Sequence, residues 1–335
     1  MNIKMWVYTW FLIAIIIPII GGINYIIDPY GENYYFNNSG INNLKITQDE
    51  RQLKFNYLKN NSNYKSIILG NSKGAYIDPS IIKRYTGLDT YNASFSAGTM
   101  NEFLEYTKWL ISQKSIKQLF IVFDFYALSE FNSNGNMPIE LRQNSSIRFT
   151  YFSLSHLKDS IRTILHNMSN NKEVEVEKEK KYYLEKGMRY DKNYFERKKS
   201  IKKQLKHIEY LKSKQIVWYG KNVSKERMNN LKEIVALCKD NNIKLFLVQG
   251  PSSYLQLNAS GRKFYKKLLL LVNNISQIHP VYFFNDFNYV NNDLKYFIDN
   301  THFNYDVNEL IFERIFLEKG IGKKITSNNP IQLID

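Results

Sequence analysis

The sequence predicts an α/β protein built on a parallel sheet of about five strands, with one membrane-spanning helix ahead of it. Three features of the chain point there. Near the start, Met5 to Ile27 form a run of 23 residues without a formal charge. Further on, short apolar runs rich in β-branched and aromatic residues read as buried strands. Between those runs lie stretches of helical periodicity, and strands that alternate with helices argue a parallel sheet with helices on both faces.

The chain has 335 residues, 44% of them apolar, 15% aromatic and 23% charged. That length suits one or two domains, and that composition excludes disorder as the main state. Cys238 is the single cysteine, which rules out a disulfide framework and any multi-cysteine zinc or iron-sulfur centre. No cofactor or metal is expected. Lys and Arg number 46 against 31 acids, for a net charge of +15. Such an excess suits nucleic acid, an anionic membrane surface or an acidic polymer. The excess is local, however: Lys172 to Arg227 hold 18 basic and 9 acidic residues, interleaved.

Element by element, the uncharged run MWVYTWFLIAIIIPIIGGINYII comes first, between Lys4 and Asp28. About 20 apolar residues cross a bilayer as a helix. Pro18 and Gly21-Gly22 are tolerated in membrane helices, and Trp6, Tyr8, Trp10 and Tyr25 lie toward the ends, as interfacial anchors do. The run is too long for a signal peptide and no small-x-small cleavage site follows it. Residues 1–27 are therefore expected to be a retained anchor and 28–63 a juxtamembrane segment. Lys4 precedes the span, whereas Asp28, Glu32, Asp49 and Glu50 follow it against only Lys45. The positive-inside rule then puts the N-terminus in the cytoplasm and the rest outside, on the exoplasmic side of a single-pass protein.

Residues 64–335 are expected to form one α/β domain. Its strands are Ser66 to Leu69, Leu119 to Phe123, Leu245 to Val248 and Val281 to Phe284, with a weaker candidate at Thr90 to Ala93. Its helices are Pro79 to Tyr85, Met100 to Ser112, Lys225 to Asn241, Gly261 to Ile275 and Asp306 to Lys319. A charged stretch at about 148–214 reads as a largely helical, solvated insertion, attracted at most to anionic headgroups or an acidic glycan. Nucleic acid is not expected as a partner, because the segment lies outside the cytoplasm. Cys238, in the apolar run IVALC, reads as a packed small residue, and His156, His166, His207 and His279 as surface or packing residues.

Open parallel sheets bind ligands beyond the carboxyl ends of their strands. The first strand ends in Leu69-Gly70-Asn71-Ser72-Lys73-Gly74, and Asp78-Pro79 then opens a helix. A phosphate-binding loop is a further option there, but the full Gly-x-x-x-x-Gly-Lys-Ser/Thr pattern is missing. By itself a serine there can simply cap a turn. After the last strand comes Asp299-Asn300-Thr301-His302, an acid three residues before an imidazole at the same sheet edge. A serine becomes a nucleophile when a base takes its proton, and a carboxylate fixes that base's tautomer. Ser72, His302 and Asp299 fill those three roles.

In those residues the sequence resembles the SGNH/GDSL hydrolase superfamily, in particular its membrane-anchored bacterial members associated with acylation of cell-envelope polysaccharides. Gly70-Asn71-Ser72 is similar to the Gly-Asp-Ser block, with Asn in place of Asp, and Asp299 to His302 matches the Asp-x-x-His block. Tyr91-Asn92-Ala93-Ser94-Phe95-Ser96-Ala97-Gly98 is similar to the second block. The resemblance implies a flavodoxin-like three-layer sandwich and an oxyanion hole from the N–H groups of Ser72 and Gly98, with Asn71 as a further donor. Asn92 and Asp124 are expected in the cleft. The Gly-x-Asn-Asp block is absent, and Phe123-Asp124-Phe125-Tyr126 stands in its place. The implied activity is that of a serine esterase or O-acyltransferase working through an acyl-Ser72. Implied partners are a cell-envelope polysaccharide or lipid-linked glycan and an integral membrane acyl donor protein. A non-catalytic, membrane-anchored accessory protein that binds glycan or an acyltransferase is the alternative.

Overall fold

In a computed structural model of the chain, the described residues are 3–33, 40–47, 49–61, 63–113, 115–130, 150–169, 177–190, 206, 208–209 and 222–332. The helices used below are α1 (Ile3–Ile27), α2 (Glu50–Asn60), α3 (Pro79–Thr86), α4 (Met100–Gln113), α5 (Leu154–Ser169), α6 (Lys225–Asp240), α7 (Tyr254–Ser276) and α8 (Tyr305–Leu317). The strands are β1 (Ser66–Gly70), β2 (Thr90–Asn92), β3 (Gln118–Phe123), β4 (Lys244–Gln249), β5 (Val281–Phe283) and β6 (Lys323–Ile325). The chain divides into two units, Met1–Asn61 with Met137–Glu185 and Ser62–Asn136 with Lys186–Asp335.

In the first unit, α1 is long and apolar enough to cross a membrane. At 25 residues it measures about 37 Å. Its side chains are exposed along most of its length, and Gly21, Asn24 and Ile27 are buried near its end. That end is closed by specific partners. The Asn42 side chain donates to the carbonyls of Ile26 and Ile27 at 3.2 and 3.1 Å, and Lys45 Nζ donates to Ile27 O at 3.3 Å. A buried cation at a helix C-terminus offsets the negative end of the dipole. Burial pulls the Lys45 ammonium down to about 8, against the pull of Asp28. Asp49 then caps α2, accepting from Gln52 N at 3.1 Å. The juxtamembrane segment thus holds a helix and a cap for α1.

The second unit is a six-stranded sheet in the order β2-β1-β3-β4-β5-β6. The first five strands pair in parallel; β6 pairs antiparallel to β5. The five parallel strands match the sequence reading. The sixth escaped it because Lys-Lys-Ile carries almost no apolar signal, and two exposed lysines on an edge strand discourage further pairing. One face of the sheet, through Ile68, Phe120, Val122, Phe246 and Val248, packs on Ile81 and Ile82 of α3 and on Val307, Ile311 and Phe312 of α8. Helices α4 and α6 pack on each other, and α6 also on β4. Local chemistry sets the helix starts: Asp78 caps α3 with Pro79 in the first turn, Ser224 caps α6, Ser253 caps α7 and Asn304 caps α8. Helix α7 begins seven residues before the expected Gly261, because the chain bends there (φ 78°, ψ 160°) and resumes as helix.

The expected insertion at about 148–214 needs correction in its described parts. Met137–Glu185 groups with the first unit, and α5 turns its polar side chains inward. Lys186 to Arg189 belong to the sheet unit, where Met188 is fully buried. Much of the rest, including His207, lies outside the described residues. Cys238 is buried, which pushes its thiol up to about 12 and makes it the inert packing residue that its sequence context suggests.

Candidate active site

All five parallel strands end at one edge, and the turn after β1 is built there. The backbone tightens into a helical turn at Gly74–Tyr76, with Ala75 N donating to Asn71 O at 3.2 Å and Tyr76 N to Lys73 O at 3.3 Å. Asn71 Oδ1 accepts from Lys73 N at 3.1 Å, which fixes the corner. Ser72 is held half-buried at the start of this turn.

The late acid-imidazole pair sits on an equally constrained loop. Phe297 and Phe303 form an antiparallel bridge, Ile298 N donates to His302 O at 2.8 Å, and the Phe303 side chain is fully buried. Ser253 Oγ donates to Asn300 O at 2.7 Å, tying the loop to the start of α7. Within the loop, Asp299 Oδ1 accepts the N–H groups of Thr301 and His302, both at 2.8 Å, and its Oδ2 lies 2.8 Å from His302 Nδ1. The other imidazole nitrogen, Nε2, is 2.9 Å from Ser72 Oγ. A carboxylate only accepts, so the network assigns the proton to Nδ1 and leaves Nε2 to accept from the serine hydroxyl. Burial pushes the Asp299 carboxyl up, but the His302 side chain and the two backbone N–H groups outweigh it and hold it well below the usual carboxylate range. The structure thus brings Ser72, His302 and Asp299 together in one chain of hydrogen bonds. Tyr76 flanks it, its ring centroid 5.1 Å from that of His302.

Gly98 is buried beside the end of β1. A Cβ there would lie 3.0 Å from Gly70 O and 2.8 Å from the Phe103 ring, so glycine is what permits the approach. Among the described residues, neither the Ser72 N–H nor the Gly98 N–H donates a hydrogen bond within the protein. Asn92 is not the cleft residue it was expected to be. It is fully buried, its Nδ2 donates to Gly74 O and Ile77 O at 2.8 Å each, and its Oδ1 accepts from Ser94 N at 3.0 Å. It braces the serine turn from below. Asp124 caps the turn Phe125–Leu128 and also borders a small cavity of about 30 Å³ with Lys73, Gln249, Ser252 and Thr301. A larger cavity of about 530 Å³, lined by Cys238, Leu245, His279 and Tyr282 among others, opens at the opposite edge, where β4 begins.

Two cations beside the serine turn were not singled out from the sequence. Lys73 is fully buried and reaches across to the end of β4, where Nζ donates to Gly250 O at 3.2 Å and Ser252 Oγ at 2.5 Å. Burial pulls its ammonium down to about 8, against the pull of Asp124 and Asp299. Arg189 lies in the stretch read as insertion. Its N–H donates to Ala75 O at 2.7 Å, its Nη2 to Ser96 Oγ at 2.6 Å, and its guanidinium sits 5.5 Å from the Tyr76 ring centroid. Gly187 lets this strand of chain lie against β2: its φ is +67° and a Cβ would fall 2.1 Å from Asn92 O. No sequence pattern flags either cation, since lysine and arginine are ordinarily solvated.

The buried Lys73 makes a measurable demand. Its folded pKa of about 8 lies below the unfolded value of about 10.4. Between those values the unfolded chain holds a proton that the folded chain lacks, so stability rises with pH across that window. The rise amounts to roughly 3 kcal/mol. Urea unfolding of the full-length protein at pH 7.5 and pH 10 should show it, and Lys73→Met should remove it while leaving the comparable share from Lys45. Equal pH responses in the two proteins would refute the assignment.

Compared with known proteins, the chain matches no protein-family model and no curated protein.

Proposed function

We propose that the protein is a membrane-anchored exoplasmic serine esterase or O-acyltransferase of the SGNH type, acting on a cell-envelope glycan through an acyl-Ser72 intermediate. One observation carries the reading: Ser72 Oγ, His302 and Asp299 form an unbroken hydrogen-bond chain, 2.9 and 2.8 Å long in its two links, between residues 230 apart in sequence. Structural packing gives no reason for a half-buried hydroxyl to meet the free face of an imidazole that a carboxylate orients from behind. The strand order β2-β1-β3-β4-β5, with helices against the sheet, supports the flavodoxin-like three-layer architecture of that superfamily.

The chemistry follows from the geometry. His302 Nε2 takes the Ser72 proton as Oγ attacks the acyl carbon of an ester, and the carbonyl π pair moves onto its oxygen. The N–H groups of Ser72 and Gly98 stabilise that oxyanion. As the tetrahedral species collapses, the bond to the leaving alkoxide breaks and His302 returns the proton to it. The acyl-serine is then cleaved by water or by a sugar hydroxyl through the reverse sequence. Asp299 stays ionised throughout and stabilises the imidazolium. The exposed α1, uncharged from Met5 to Ile27, supports an anchor, and Lys4 at its start against the acids after it supports an exoplasmic domain. An enzyme so held suits a substrate assembled at the membrane, with an integral membrane protein as acyl donor.

The test is labelling of the full-length protein with a fluorophosphonate, located by peptide mass spectrometry, together with p-nitrophenyl acetate hydrolysis. Adduct on Ser72, lost in His302→Ala, is the expected result. A transferase that rejects water still takes the label. Absence of any adduct on Ser72 sinks the enzyme and leaves the accessory binding protein. Gly98→Ala is expected to lower turnover by about 10²-fold or more, since its methyl group would push the loop off Gly70 O and misalign one oxyanion donor. Steady-state kinetics would check it, and an unchanged kcat would remove Gly98 from the site.

A further inference from the structure

We infer that α5 lies in the membrane interface, its exposed apolar stripe seated among lipid acyl chains beside the end of α1. The inference rests on the reading of α1 as a membrane anchor.

The polarity of α5 is the reverse of a soluble amphipathic helix. Its buried side is polar. Asp159 accepts from Tyr30 at 2.8 Å and Thr47 at 3.0 Å, Ser160 Oγ donates to Asn24 Oδ1 at 2.8 Å, and Asn167 exchanges two hydrogen bonds with the backbone of Leu44. Its outer side is apolar: Leu154, Ile161, Leu165 and Met168 are 71, 47, 61 and 62% exposed. Steps of seven, four and three residues place all four on one stripe, about 21 Å long. In water that arrangement leaves the apolar surface uncovered, whereas against hydrocarbon it buries that surface and keeps Asp159, Ser160 and Asn167 hydrogen-bonded inside.

The position of the stripe names lipid as its occupant. The chain entering α5 crosses the last turns of α1, where a Cβ on Gly21 would lie 2.6 Å from the Phe152 ring and Asn24 Nδ2 donates to Tyr151 O at 2.5 Å. Tyr25 and Tyr151 pack edge to face at 5.7 Å, an aromatic pair at the depth where membrane helices leave the hydrocarbon. The stripe therefore continues the exposed surface of α1 at its interfacial end. Its exposed face carries one charge, Lys158, and no acid. Arg162 stands beside it, bonded to Asp159 at 3.3 Å. Long cations at the edge of an apolar stripe reach up to anionic headgroups, as on helices that lie about 5–10 Å into the boundary region.

Because α1 alone would hold the protein in a bilayer, flotation cannot test the inference, and local depth must be read. The full-length protein would carry one new cysteine at a time, Ile16→Cys, Ile161→Cys, Leu165→Cys or Lys319→Cys, modified with an environment-sensitive fluorophore. Buried Cys238 is not labelled under those conditions. After reconstitution into phosphatidylcholine–phosphatidylglycerol vesicles, the labels at 161 and 165 should be blue-shifted, quenched by lipids brominated high on the acyl chain and protected from iodide. The label at 319 should show the opposite. Iodide quenching at 161 and 165 with lipid quenching at 16 would overturn the inference and leave the anchor standing. Protection from both quenchers would overturn it in favour of a covering protein. A label at 16 in water would remove the anchor and the inference together.

Discussion

Ser72→Ala and His302→Ala are each expected to lower ester turnover by about 10⁴-fold or more, and the double variant is expected to be no worse than either alone. The reason lies in the two links of the hydrogen-bond chain. Without Oγ there is no nucleophile, and without the imidazole the hydroxyl keeps its proton, so removing the second partner takes away nothing further. The folded protein should tolerate the first change. Ser72→Ala removes a single hydrogen bond from a half-buried position, a loss of about 1 kcal/mol. His302→Ala costs more, because it strips Asp299 of the partner that outweighs its burial. Comparing kcat/KM with the urea midpoint for the three variants separates the two effects. Turnover that survives both substitutions would place the chemistry elsewhere.

The sheet was legible because its strands are uncharged runs bounded by Asn, Asp, Gly and Lys, and because a helix start such as Asp78-Pro79 carries its own cap. Ser72 was legible because it falls directly after a strand, and Asp299 and His302 because they lie between the last parallel strand and the last helix, where the chain returns to the edge at which the strands end. Asn92 was misread for want of partners: nothing local tells a carboxamide that two carbonyls from the preceding turn will consume both of its hydrogens. Lys73 and Arg189 were missed for a related reason. Their surroundings are assembled from the ends of β4 and β2, far away in sequence, while their own neighbours look solvated. Helix α5 is amphipathic in sequence, but amphipathicity does not say which side faces in; that depended on Tyr30, Thr47 and Asn24 meeting its polar side.

Asp299→Asn isolates the least visible member of the site, and its effect is expected to approach that of losing the base, about 10⁴-fold in kcat/KM. The substituted carboxamide keeps one oxygen to accept from Thr301 N and His302 N, so the loop need not move. Its amide hydrogens then face His302 Nδ1, which cannot remain a donor. The imidazole shifts to the tautomer protonated on Nε2, and Nε2–H points at Ser72 Oγ instead of accepting from it. The serine is still present, still 2.9 Å from the ring, and inert. Acid stability should change alongside. The Asp299 carboxyl is held below its unfolded value of about 3.9, so its stabilisation is present above that pH and is lost as pH falls through the folded value. The Asn variant lacks that acid-labile share, and its stability should fall less than that of the parent below about pH 4. Fluorophosphonate labelling of Ser72 that drops sharply while the urea midpoint at pH 7 holds would tie the loss to the tautomer. Labelling that stays at the parental rate would show that His302 does not need Asp299 to act as a base.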